Sequence, residues 1–128
     1  MSAVNSNFLL TGLTLPDGTV SDIQIVDGAI AALDKSLPKS SGAQTIDFAG
    51  CVALPGLVDL HTHLREPGKE DAETVLSGSM AAAKGGYVAI SAMANTSPVA
   101  DTAGVVEQVF ALGQSAGFAD VFPIGAVT

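Results

Sequence analysis

The chain is expected to be an α/β protein, with a small β-domain over residues 1–54 followed over 55–128 by β-α-β-α-β units of a parallel sheet. Three observations carry that expectation. Up to Leu54, short β-type runs are punctuated by Gly, Pro and Asp turns. From Pro55 onward, strand-length apolar runs alternate with stretches of helical period. Those later strands are apolar throughout, which suits burial on both faces and parallel pairing through right-handed crossovers.

In the first part, Phe8 to Leu10, Ile23 to Val26, Ala29 to Leu33, Thr45 to Phe48 and Cys51 to Leu54 read as strands. The segments Pro16-Asp17-Gly18, Asp27-Gly28 and Phe48-Ala49-Gly50 read as the turns between them. Val26-Asp27-Gly28-Ala29 is a strong hairpin signal, because Asp-Gly tolerates the positive φ angles of a two-residue turn. Lys35 to Gly42, polar and Ser-rich, reads as a mobile surface loop.

In the second part, a strand at 57–63 leads through a loop ending at Gly68 to a helix from Asp71 to Lys84. That helix shows Val75, Leu76, Met80 and Ala83 on one face, acidic residues in its first turn and Gly85-Gly86 at its end. A strand from Tyr87 to Met93 follows, then the loop Ala94-Asn95-Thr96-Ser97-Pro98. Next comes a helix capped by Asp101 or Thr102, carrying Val105, Val106, Val109, Phe110 and Leu112, and stopping near Gly117. Val121 to Val127 opens a third strand. Three such units close nothing, and a (β/α)8 barrel takes about 250 residues. The expectation is therefore a chain truncated at its C-terminus, with apolar surface left uncovered.

Composition narrows the function classes. Hydrophobic residues make up 48% and charged ones 14%, the signature of folded material. Thirteen acidic against five basic residues give a net charge of −8, which repels nucleic acid and anionic membranes. The N-terminal MSAVNSNFLLTGL has no basic region, and Thr11-Gly12 breaks its apolar run, so neither a signal peptide nor a membrane span is expected. The lone cysteine, Cys51, lies in an apolar run and reads as a small buried residue rather than a nucleophile. These features point to the reducing cytoplasm.

The chemistry concentrates in LPGLVDLHTHLREPG, Leu54 to Gly68, which holds both histidines of the chain. Alternation along a strand sends His61 and His63 to one side, with Asp59 and Arg65 sharing their parity and Val58, Leu60 and Thr62 opposed. Two converging imidazoles make half of a metal site, since a zinc-like ion takes about four N, O or S ligands. The competing reading is a pair of structural histidines on an exposed strand. In an α/β barrel the strand ends carry the chemistry. Arg65 and Asn95, just past two adjacent strands, can then face one anionic ligand beside the metal, through a bidentate fork and a neutral donor.

HTHLREPG after LPGLVDL, with Gly-Gly before the next strand and ANTSPV after it, resembles the dihydroorotases of the amidohydrolase superfamily. The resemblance runs over essentially all of the chain and implies the first third or so of a longer enzyme. It implies a (β/α)8 barrel of the TIM type and one or two zinc ions. The implied reaction is reversible hydrolysis of the cyclic amide of dihydroorotate to N-carbamoyl-aspartate, in pyrimidine biosynthesis. By that likeness His61 and His63 are metal ligands, and His63, Leu64, Arg65 and Asn95 are substrate-binding. The general acid/base, an aspartate near the last barrel strand, is expected beyond residue 128. Asp120 stands near where one branch places a metal-bridging lysine, which argues against a lysine-bridged site. Ala94 departs from the proline that relatives often carry. The alternatives are another cyclic amidase (hydantoinase, dihydropyrimidinase or allantoinase) and a non-catalytic dihydroorotase-like scaffold. A homo-oligomer or association with aspartate transcarbamoylase is the assembly such a chain would enter.

Overall fold

The computed structural model describes residues 6–128, so the first five residues of the stretch read for a leader lie outside it. The chain divides into two compact units, Met1–Pro55 and Gly56–Thr128.

The first unit is a four-stranded sheet in the order β3-β2-β1-β4, formed by β1 (Phe8–Thr14), β2 (Val20–Val26), β3 (Ala29–Asp34) and β4 (Gln44–Asp47). The β2–β3 hairpin turns at Asp27 and Gly28, whose φ angles of 50° and 79° are those an Asp-Gly pair accommodates. Strand β1 is longer than its apolar run, because it continues through Thr11-Gly12 with a register shift between Leu10 and Leu13. The Asp22 carboxylate ties this irregular region together, accepting the Gly12 N–H at one oxygen and the Leu37 N–H at the other, both at 3.0 Å. With Gln24 Nε2 donating to Ser40 Oγ, the segment expected to be a mobile loop is anchored to β2.

Two expectations fail here. Cys51 to Leu54 is an extended segment carrying an isolated parallel bridge from Val52 to Thr14, not a strand. Cys51 is exposed. An apolar run signals burial only where a sheet or helix covers it, and Val52 and Leu54 are also exposed.

The second unit is the parallel sheet β5-β6-β7, formed by β5 (Leu57–Thr62), β6 (Tyr87–Ala92) and β7 (Asp120–Pro123). Helices α1 (Val75–Lys84) and α2 (Ala103–Ala116) are the crossovers. Leu64, Val75, Ile90, Ala92, Val109 and Val121 form the core between sheet and helices. Phe122, adjacent to Val121 and so on the other face, is half exposed. No helix among the described residues is long and apolar enough to cross a membrane.

Helix α1 starts four residues later than its acidic prelude suggests. Thr74 caps it in a reciprocal box with Ser77, which leaves Glu70, Asp71 and Glu73 in the preceding turns. Its buried face is Val75, Gly78 and Ser79, with Ala82 packed behind, whereas Leu76 and Met80 are exposed. Small residues win that face because the helix lies close on the sheet: a Cβ on Gly78 would come 2.5 Å from Leu64 Cδ2. Helix α2 follows the same rule, burying Val109 and Gly113 and leaving Phe110 exposed.

A contrast within α2 tests this packing. A Cβ on Gly113 would meet Val121 Cβ at 2.6 Å, while one on Gly104 would meet nothing within 4 Å. Gly113→Ala is expected to cost about 1–3 kcal/mol through overpacking. Gly104→Ala is expected to stabilise by up to about 1 kcal/mol through helix propensity. Urea denaturation of the two variants should therefore move the midpoint in opposite directions.

Candidate active site

Strand β5 does not keep a period of two as far as its histidines. Asp59 pairs with Ile90 and Thr62 with Ala92, so three steps on β5 answer two on β6. One extra residue is accommodated between them, and it reverses the parity. Asp59 therefore shares a face with Thr62 and Leu64, and these residues line a concavity of about 250 Å³ against α1. The equal parity of Asp59 and the histidines expected from strand alternation does not hold. The Asp59 carboxylate closes the irregularity by accepting the His61 N–H at 2.9 Å.

Beyond this bulge the chain regains its alternation. The His61 and His63 ring centroids lie 5.1 Å apart with their planes at 66°. Thr62, between them, turns the other way and donates its hydroxyl to Ser91 O at 2.9 Å. The Met93 N–H reaches Thr62 O at 2.9 Å and extends the β5–β6 pairing to the strand ends.

From the end of β6, Asn95 Oδ1 lies 2.8 Å from His63 Nδ1. His63 and Asn95 line a concavity of about 380 Å³ with Met93, Ala94, Val99 and Ala126. Leu64 is buried in the core, so a ligand at this strand end would meet its backbone and not its isobutyl group. Arg65 is half-buried and left-handed, with φ 62°, and its carbonyl accepts the Lys69 N–H at 2.9 Å.

The loops after β5 and β6 are fastened to each other and to α1 by residues whose motifs the sequence displays but whose contacts it does not. The Ser97 N–H donates to Pro67 O at 2.9 Å, and Gly68 lies directly against Ser97. The Gly68 N–H donates to Glu70 Oε1, which holds the Glu70 carboxyl below its ordinary pKa. Glu66 Oε2 accepts the Val75 N–H at 2.7 Å, placing a carboxylate on the first amide of α1. Only the fold reveals that role, since Glu66 stands nine residues before Val75. Glu66→Ala should destabilise the chain by about 1–2 kcal/mol, the worth of a charge-assisted cap, while Glu66→Gln, which keeps an acceptor, should lose less. Urea denaturation reads both.

The donor set fits half of a zinc-type site. Two neutral imidazoles can supply two nitrogen ligands, and among the described residues no group of three or more His, Cys, Asp and Glu side chains could hold an ion by itself.

The model of the dihydro-orotase-like family matches residues 50–128, which include every element of this site. The chain belongs to that family. It is 57% identical over 124 residues to the dihydroorotase of Leifsonia xyli, a match covering 97% of this chain and 28% of the relative. It is 55% identical to the dihydroorotase of Streptomyces coelicolor, over 96% of this chain and 28% of that one. The L-hydantoinase (dihydropyrimidinase) of Arthrobacter aurescens is similar in structure, with a TM-score of 0.76 and 26% identity over 93% of this chain and 27% of its own. The chain thus spans about 28% of the length of the curated relatives it matches.

Proposed function

We propose that this family member serves dihydroorotate hydrolysis, contributing the opening β/α units of a (β/α)8 barrel and one edge of its site. The observation that carries the reading is the His63–Asn95 contact, which brings the ends of two adjacent parallel strands to one point beside the paired imidazoles. His61 and His63 would hold zinc, one ion or two, with further ligands from outside the described residues. When bound, the metal supplies a water nucleophile at neutral pH and polarises the ring amide carbonyl.

The chain's own residues do the positioning. Arg65 offers the substrate carboxylate a planar fork of donors, and Asn95 adds neutral N–H groups. The backbone at Leu64 lines the approach. The walls contributed by Met93, Ala94, Val99 and Ala126 are apolar and lower the local dielectric where charge is recognised. Hydrolysis also needs a proton for the leaving nitrogen, and in this reading a carboxyl group outside the described residues supplies it. The reducing cytoplasm is the proposed compartment.

The likeness to the L-hydantoinase favours a second reading, a cyclic amidase acting on rings without the carboxylate. Arg65 separates the two, because a ring lacking that anion gives a guanidinium two residues past His63 nothing to bind. The decisive experiment is a chimera in which these residues replace the matching 28% of the Leifsonia xyli dihydroorotase. Bound zinc together with dihydroorotate hydrolysis is the expected result. Hydrolysis of hydantoins but not dihydroorotate would favour the second reading, and a folded chimera that binds zinc yet turns over neither would leave the scaffold alternative.

A further inference from the structure

Asn95 has one carbonyl and one amino group, and the structure spends the carbonyl on a histidine. A neutral imidazole carries its proton on one ring nitrogen and a lone pair on the other. With Asn95 Oδ1 at 2.8 Å from Nδ1, the ring nitrogen must be the donor. Nε2 is then the lone pair. The reverse arrangement, with the amino group donating to Nδ1, would place the proton on Nε2 and close that nitrogen to any metal.

We propose that Asn95 is a positioning residue that sets the tautomer of His63, holding the proton on Nδ1 so that Nε2 is free to ligate. The same bond fixes which way the carboxamide faces, since its carbonyl is committed to the imidazole. Both Asn95 N–H donors are thereby left for an anion in the concavity that Asn95 lines. One side chain thus orients a ligand nitrogen and presents donors to the substrate. Partners of this kind commonly change metal affinity by about 10–100-fold.

The inference rests on His63 being a metal ligand, yet its first test needs no metal. Long-range 15N–1H NMR of the labelled, metal-free chain at about pH 8.5 reads which nitrogen carries the proton. His63 should show a protonated Nδ1 and an unprotonated Nε2. Asn95→Asp, whose carboxylate still accepts from Nδ1–H, should preserve that pattern, and Asn95→Leu, similar in size without an acceptor, should lose it. A wild-type spectrum with the proton on Nε2 overturns the proposal without recourse to any variant, as does an unchanged tautomer in a folded Asn95→Leu.

Zinc titration against a competing chelator, carried out in the chimera with the Leifsonia xyli dihydroorotase that completes the ligand set, forms the second arm. Asn95→Leu should bind about tenfold or more weakly than wild type, with Asn95→Asp restoring affinity. Equal affinity in all three proteins counts against the positioning role. The expected tautomer in the chain, without zinc binding by the wild-type chimera, supports the assignment of Asn95 and overturns the metal reading instead.

Discussion

Alanine at Gly68 is expected to unfasten the site loops, costing roughly 3 kcal/mol or more and breaking the His63–Asn95 contact. Two separate penalties fall on that position. Gly68 has φ 104°, outside the regions an L side chain ordinarily occupies. A Cβ there would also come 2.4 Å from Ser97 O and 2.6 Å from Ser97 Cβ, and the nearer atom is backbone, so no rotamer change relieves it. The loop after β6 must move away, which removes the Ser97 N–H to Pro67 O bond and draws Asn95, two residues earlier, off His63. Urea denaturation measures the first effect, and the His63 15N spectrum measures the second. A variant with wild-type midpoint and unchanged His63 shifts would show that this contact does not hold the loops.

Much of this arrangement was legible before any coordinates, for reasons that also explain what was not. The two histidines share a face because period-two alternation needs only local geometry from His61 to His63. Asp59 escaped that logic, since the bulge before them exists only in the pairing of β5 with β6 and leaves no local mark. Helix α2 was readable between a start at Asp101 or Thr102, of which the structure takes Thr102, and a stop near Gly117, which is left-handed at φ 68°. The start of α1 was obscured by acidic residues that mimic a first helical turn, while the working cap was the modest Thr74–Ser77 pair. Hydrophobicity misplaced the buried face of α1 because close approach to the sheet selects Gly78, Ser79 and Ala82 over Leu76 and Met80. Glu66 and Gly68 lie in a quoted motif, but their fastening roles went unread because their partners, Val75 and Ser97, are brought to them by tertiary folding alone.

Arg65 sits in a backbone state that favours glycine, and that mismatch separates its contribution to folding from its contribution to chemistry. A non-glycine residue at φ 62° costs about 1–2 kcal/mol. Arg65→Gly relieves that cost but returns about 0.4–1 kcal/mol in unfolded-chain entropy, so the variant should be as stable as wild type or more stable by up to about 1.6 kcal/mol. Arg65→Met keeps the strain and most of the side-chain bulk while removing the charge, and its stability should stay within about 0.5 kcal/mol of wild type. If the guanidinium recognises a carboxylate, the chimera should behave quite differently. Both variants should lower kcat/KM for dihydroorotate by about a hundredfold or more, the worth of a charge-assisted pair in a desolvated site. Arg65→Lys, which restores a charge without the planar fork, should recover only part of that loss. Stable folding with collapsed turnover would mark a strained residue retained for recognition, whereas unchanged kinetics in Arg65→Met would remove the carboxylate from this end of the strand and leave the hydantoinase-type reading in its place.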